Sequence, residues 1–457
     1  MKDRFGFDWS GIGGTQFWRR PMLGRRMFFR HVASAVGGYM LLPGRPMETV
    51  ARAGVATKNA ARNCIFIFMD GGPSQIDTFD LKEGAWTQPA MGPATYGDIR
   101  FPQGYLPAIA EQLDSIALVR SAKAWAAVHG LAKQWVLIGR NPIAGTSKIA
   151  PHIGSVVSAE LSRQEGDKAL PAFLALNTGF MVGSGYLPPQ YGPFYITPGG
   201  AGIPNTRHGA GNVRFDRRYG LLLKMDNDLR QSAELGASPQ ESFAYNAAAR
   251  RLTYNGDVDT IFTFDQNEKN RYGNTGFGNA CIAARNLLRA RAGARFIQIT
   301  HGNWDQHENM WVTNAGHTLL GRQFDLGFGT LLADLKNDGL LGETLVVAMG
   351  EFGRVPGALN AQRGRDHYLN QTVLFAGAGI KGPRVIGSTD KDGRNVAEPG
   401  WARKREARPE DVEATIYSAL GIDWTTVRQD DPFNRGFEYV PFSDRDLYGP
   451  IHELWTE

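Results

Sequence analysis

The chain is expected to fold as an α/β protein with a mostly parallel central sheet covered by helices. Three observations carry that expectation. Short continuous apolar runs bounded by Gly recur along it, helix-like stretches separate several of them, and 457 residues are enough for one large core. A strand buried on both faces has no polar side, so it reads as an unbroken apolar run. Apolar runs alternating with helices require crossover connections, which make neighbouring strands parallel.

The first run, Cys64–Met69, ends at Asp70-Gly71-Gly72. Similar runs follow at Ile116–Val119, Ala172–Leu176, Phe296–Ile299, Thr344–Met349 and Val373–Ala376. The helix-like stretches are Val128–Ile138, Asn279–Ala292, Gln323–Asn337 and Pro409–Leu420. Residues 178–275 differ in texture. Gly179–Gly211 is rich in Gly, Pro, Tyr and Asn, and a charged helical stretch, Tyr219 to Leu235, follows. A segment this long reads as a cap insertion at the rim of the sheet. The expected organisation is an export signal over 1–53, a linker over 54–61, one domain over 62–430 with its cap at about 178–275, and an extension over 431–457.

The pI of about 9 comes from the front of the chain. Residues 1–53 hold nine basic and three acidic side chains, so of the chain's +5 the remainder carries −1. A near-neutral body lacks the basic stripe that a phosphate backbone needs, which sets nucleic acid aside. Arg25-Arg26-Met27-Phe28-Phe29-Arg30, the weakly apolar Val32–Pro43 and the small-residue triplet Ala51-Arg52-Ala53 form the three parts of a twin-arginine export signal. No run approaches 18 apolar residues, so the mature chain is expected to be periplasmic or secreted, with no integral membrane segment. Two cysteines, Cys64 and Cys281, make no disulfide framework and read as buried small hydrophobes.

In open parallel sheets ligands bind beyond the carboxyl ends of the strands. The polar residues that follow the apolar runs are Asp70, then His301, Asp305 and His307, then Glu351; Asp366-His367 stands just before the Val373 run. These oxygen and imidazole donors are the mix that divalent metals use.

The ordered set Ile65-Phe66-Ile67-Phe68-Met69-Asp70, Trp304-Asp305-Gln306-His307, Gly350-Glu351-Phe352-Gly353-Arg354, Gly364-Arg365-Asp366-His367 and Arg408-Pro409-Glu410-Asp411 resembles the alkaline-phosphatase and sulfatase superfamily. With Gly71-Gly72-Pro73-Ser74, Gly185-Tyr186-Leu187-Pro188-Pro189 and Arg271-Tyr272-Gly273, it resembles more closely an exported sulfatase-like bacterial family of unknown function. The resemblance implies a three-layer α/β/α alkaline-phosphatase-like fold. It implies Asp70, Asp305, His307, Glu351 and His367 as ligands of one or two divalent ions (Zn, Mn or Ca), with His301 and Asp366 behind them. Two departures stand out. The spacing Asp305-x-His307 is short, and Glu351-Phe352-Gly353 replaces the superfamily's Asp-His-Gly.

In sulfatases the nucleophile opens a helix that ends in a Leu-Leu-Thr-Gly-Arg-like sequence, here Val136-Leu137-Ile138-Gly139-Arg140. Counting back ten residues from Gly139 reaches His129, a possible nucleophile, ligand or general base. Ser74 is a second candidate nucleophile or else a helix cap. Arg140 and Arg354 are candidates for clamping an anion. Two functions stay open: hydrolysis of a phosphate, sulfate or related ester in a small-molecule or saccharide substrate, or non-catalytic binding on the same fold with a structural or vestigial metal.

Overall fold

The computed structural model describes residues 55–456 except 163–167, 180–181, 205, 208, 228–245 and 248. The twin-arginine segment lies outside the described residues, and so does the second part, 228–235, of the stretch Tyr219–Leu235. Residues 55–457 form one compact unit.

Eight strands make the central sheet: β1 (Asn63–Phe68), β2 (Ile116–Lys123), β3 (Phe173–Leu176), β4 (Phe194–Ile196), β5 (Phe296–Thr300), β6 (Thr344–Met349), β7 (Asn370–Gly377) and β8 (Arg384–Ile386). Their order is β8-β2-β7-β6-β1-β5-β3-β4. Only β7 runs antiparallel to its neighbours in this sheet. Each expected apolar run lies in or overlaps one of these strands.

Alternate residues of the strands feed two separate cores. Cys64, Phe66, Phe68, Val347 and Phe375 pack with helices α1 (His129–Ile138), α2 (Ile153–Leu161) and α5 (Pro409–Ala419). Ile65, Ile67, Val346, Ala348 and Leu374 face the other way, onto α3 (Gly276–Arg289) and α4 (Gly316–Asn337). Because both faces are covered, the strands need apolar side chains at every position. The result is a three-layer α/β/α sandwich of the alkaline-phosphatase-like kind. Cys64 and Cys281 are free and buried, one in each core.

Among the elements of the sandwich numbered above, α2 and the three-residue edge strands β4 and β8 were not anticipated. β4 lies inside 178–275 and pairs parallel with β3, so part of that stretch is sheet rather than rim. Farther along the stretch, Gly256–Ile261 and Gln266–Arg271 dock on the α3 side, where Asn286 Nδ2 donates to the Ile261 carbonyl at 2.9 Å and Arg285 pairs with Glu268. The 431–457 extension joins the α1/α2/α5 core through Phe437, Tyr439, Val440, Ile451 and Leu454. No helix among the described residues is long and apolar enough to cross a membrane.

Three histidines are buried neutral in these layers. Burial holds the His152 and His317 imidazoles down at about 3 and His301 at about 4. The unfolded chain protonates them near their ordinary value of about 6.5. Their contribution to stability is therefore complete above about pH 6.5 and is lost as pH falls toward 4, where the unfolded state binds more protons. Urea midpoints measured across that window are expected to fall on acidification, and less steeply in His152→Gln. An equal slope in that variant would exclude His152 from the effect.

Candidate metal centre

Asp70, Asp305 and Glu351 follow the carboxyl ends of β1, β5 and β6, three adjacent strands. His129 opens α1 on the segment that leaves β2. His367 precedes the antiparallel β7, which brings it to the same edge, and a two-residue ladder to Gly353–Arg354 holds it there.

Three imidazoles converge on Asp305. His129 Nε2 lies 3.1 Å from Oδ2, while His307 Nε2 and His367 Nε2 lie 2.9 and 3.2 Å from Oδ1. Each ring turns its other nitrogen to a separate oxygen. His129 Nδ1 is 2.7 Å from Glu351 Oε1, His307 Nδ1 is 2.9 Å from Asp366 Oδ1, and His367 Nδ1 is 2.9 Å from the Ala127 carbonyl oxygen. Donation from Nδ1 leaves a lone pair on Nε2, which is how metal-ligating histidines are oriented. Without a proton or a cation, three lone pairs would face one carboxylate.

Two details show how a divalent ion would fit. His129 Nε2 is buried and makes no aligned hydrogen bond. His307 Nε2 and His367 Nε2 stand 3.0 Å apart. His129, Asp305 and His367 each offer an atom within 4.8 Å of the others. Separations near 3 Å are those of adjacent ligands around an ion bonded at about 2.0–2.2 Å. The donor set fits a divalent ion.

Partial burial works against the Asp305 charge, yet the Arg354 hydrogen bond and charge, with the imidazoles, hold its carboxyl well below the usual range. The hydrogen bond to Glu351 raises His129. Burial lowers His367, which the Ala127 carbonyl and Asp305 only partly offset.

Glu351 is fully buried and accepts the Gly71 N–H at 3.1 Å on both oxygens, so it holds the His129 ring. Asp70 stands alongside with its carboxylate paired to Lys133, a residue the sequence reading missed. Its signal was available, since His129 and Lys133 are four apart on one helix and share a face.

The other expected residues are committed elsewhere. His301 is buried against Phe277 and Phe324, and its Nδ1 accepts from Trp304 Nε1 at 3.0 Å. Ser74 is buried at the first position before a short 3-10 turn, but its hydroxyl donates to Asp77 Oδ2 at 2.5 Å rather than accepting a backbone N–H. Arg354 gives Nε to Gly72 O at 2.8 Å, Nη1 to Arg365 O at 2.9 Å and Nη2 to Asp305 Oδ1 at 2.6 Å. It ties the β1 turn to Asp305. Arg140 lies past the far end of α1 from His129 and gives Nη2 to the Glu438 and Tyr439 carbonyls.

Gly71 adopts φ +109°, and a Cβ there would sit 2.5 Å from the Asp305 nitrogen. Gly71→Ala is therefore expected to displace Asp305 and lower metal occupancy at least tenfold. Elemental analysis of the folded variant checks this, and unchanged occupancy would contradict it.

The family model described as "Protein of unknown function (DUF1501)" matches residues 61–435. No curated protein matches the sequence. Among solved structures, a sulfatase from Pseudoalteromonas sp. is similar at 14% identity, over 79% of this chain and 68% of that one, with TM-score 0.38. A phosphonate monoester hydrolase from Silicibacter pomeroyi is similar at 13% identity, over 79% and 73%, with TM-score 0.38. A lipoteichoic acid synthase from Listeria monocytogenes is similar at 12% identity, over 85% and 76%, with TM-score 0.37.

Proposed function

This chain belongs to the DUF1501 family of proteins of unknown function, and from that premise we propose that it is an exported metal-dependent hydrolase of phosphate, sulfate or related esters. The convergence of three imidazole Nε2 atoms on Asp305 carries the reading. Asp305, His129, His307 and His367 would hold the ion. An imidazole-rich set suits Zn or Mn better than Ca, which takes oxygen ligands. A bound divalent ion would polarise the ester oxygen and lower the pKa of a water molecule.

The chain's own residues support attack by water rather than by a side chain. The Ser74 hydroxyl is held by Asp77, and Ser121, upstream of His129, gives its hydroxyl to the Pro399 carbonyl at 2.8 Å. Glu351 behind Nδ1 would keep the His129 Nε2 lone pair turned to the ion, which would activate the attacking water. Lys133 adds positive charge beside Asp70, where an anionic ester would enter. Export rests on the twin-arginine segment, and Lys at both Arg25 and Arg26 should trap the protein inside the cell. Normal export of that double variant would defeat the assignment.

The test is elemental analysis of purified protein with a screen of nitrophenyl phosphate, sulfate and phosphonate esters. Turnover is expected to vanish after chelation and return with Zn or Mn. Bound metal with no turnover of any ester class would favour the non-catalytic reading, and no metal under any loading condition would overturn both.

A further inference from the structure

The stretch 178–275 holds a helix that the metal centre does not use. Asn212–Met225 runs for fourteen residues and buries none of them. The other helices of eight residues or more among the described residues, α1 to α5, each bury at least four. A helix of this length is marginal in water on its own and normally persists through the packing of one apolar face. One side of it does rest on the protein, but lightly. Phe215 stacks on Tyr219 with centroids 6.3 Å apart and meets Tyr254 at 6.0 Å. Arg250 covers the Phe215 ring at 5.3 Å and pairs with Asp216.

The opposite side carries a different chemistry. At roughly 100° per residue, Val213, Arg214, Arg217, Leu221, Lys224 and Met225 fall within an arc of roughly 120°, turned away from Phe215 and Tyr219. All six are exposed, Val213, Leu221 and Met225 by 69%, 59% and 69%. The helix's one acid, Asp216, lies outside the arc and is already paired. Arg214, Arg217 and Lys224 pair with no acid among the described residues. The arc therefore presents three cations and three large apolar side chains, with no negative charge.

That mixture decides what can cover it. Charged side chains are depleted at the core of protein–protein contacts, where three cations among six residues would have to be desolvated. A phosphate backbone would take the cations but leave Leu221 and Met225 in water, and the near-neutral body of the chain has no basic stripe to extend the contact. An anionic phospholipid surface satisfies both halves of the face. Its phosphates attract Lys and Arg, whose long stems let the charges stay at headgroup level while Leu221 and Met225 sink toward the acyl chains.

We propose that the outer face of helix Asn212–Met225 is a peripheral membrane-binding surface for anionic phospholipid. The helix lies in the plane of the interface, about 21 Å long. It crosses nothing, in keeping with the absence of a membrane-crossing helix among the described residues. The surface is independent of the metal centre and of the hydrolase reading.

The experiment is co-sedimentation of the full-length protein with vesicles of phosphatidylcholine alone or of an equal mixture with phosphatidylglycerol. Binding is expected to be at least tenfold tighter to the mixed vesicles. Leu221→Asp with Met225→Asp, and separately Arg214→Glu with Arg217→Glu, should each weaken it at least tenfold. These positions are exposed, so both double variants should fold and keep the wild-type metal content. A local readout separates this face from the amino-terminal segment. Cys64 and Cys281 are fully buried, so a water-soluble maleimide reports on one position in Met225→Cys. Labelling should be fast in solution and slowed at least tenfold by mixed vesicles, but not by phosphatidylcholine alone. Slow labelling without vesicles would mean that the chain or a second copy covers the face, and would overturn the proposal. Equal binding to the two vesicle types, or binding that both double variants leave intact, would overturn it too, as would capture by duplex DNA but not by mixed vesicles.

Discussion

Asp305→Ala is expected to reduce bound metal to less than a tenth of the wild-type content and to abolish any ester turnover. Its carboxylate is the point on which the Nε2 atoms of His129, His307 and His367 converge, so no other donor can replace it without moving three rings. The same change removes the 2.6 Å partner of Arg354, whose guanidinium is almost fully buried. Arg354 keeps its backbone carbonyl acceptors and the Asp305 side chain is 41% exposed. The added cost in folding stability is therefore only about 1–2 kcal/mol, well under that of a fully buried pair. Elemental analysis and a urea titration separate the two effects. Full metal content in a folded Asp305→Ala protein would remove the basis of the centre.

Arg365→Met is expected to show the largest loss of stability, roughly 3–5 kcal/mol, because it strands the Asp77 charge in the core. Arg365 and Asp77 are 1% and 2% exposed and pair at 2.7 Å. Arg365 also donates to the Val355 and Gly357 carbonyls, and its backbone ties the 356–366 loop to Gln306. That loop carries Asp366 and leads into His367, so the pair sets the position of two site residues from behind. Asp77→Asn combined with Arg365→Met should recover part of the loss by removing the orphaned charge. A denaturant midpoint within error of wild type for Arg365→Met alone would refute the claim.

Much of the fold was legible because a doubly covered sheet imposes a signal at every strand position. Cys64–Met69 and Thr344–Met349 are apolar throughout since Ile65 and Phe66, adjacent in sequence, enter opposite cores. β4 and β8 escaped notice because three-residue edge strands contribute too few buried positions to make a run. The helix Ile153–Leu161 was missed for a related reason. It is buried nearly all round, so it shows no polar face to mark a helical period.

The candidate centre divides the same way. The sequence by itself determined which donors stand at strand ends, because parallel topology sends every carboxyl end to one edge of the sheet. Asp70, Asp305, His307, Glu351 and His367 could be picked out on that ground, and His129 only through the sulfatase-like ending of its helix. Only the tertiary structure decided what each does there. Glu351 turned from expected ligand to the group that orients His129, since burial and the Gly71 N–H fix its carboxylate behind the ring. Arg354 and Arg140 turned from anion clamps to braces on backbone carbonyls. Lys133 arrived beside Asp70 through one turn of helix. Residue type and order along a strand follow from local burial, which a sequence records. The partner that a charged group finds depends on which loops meet in space, and no local pattern encodes that meeting.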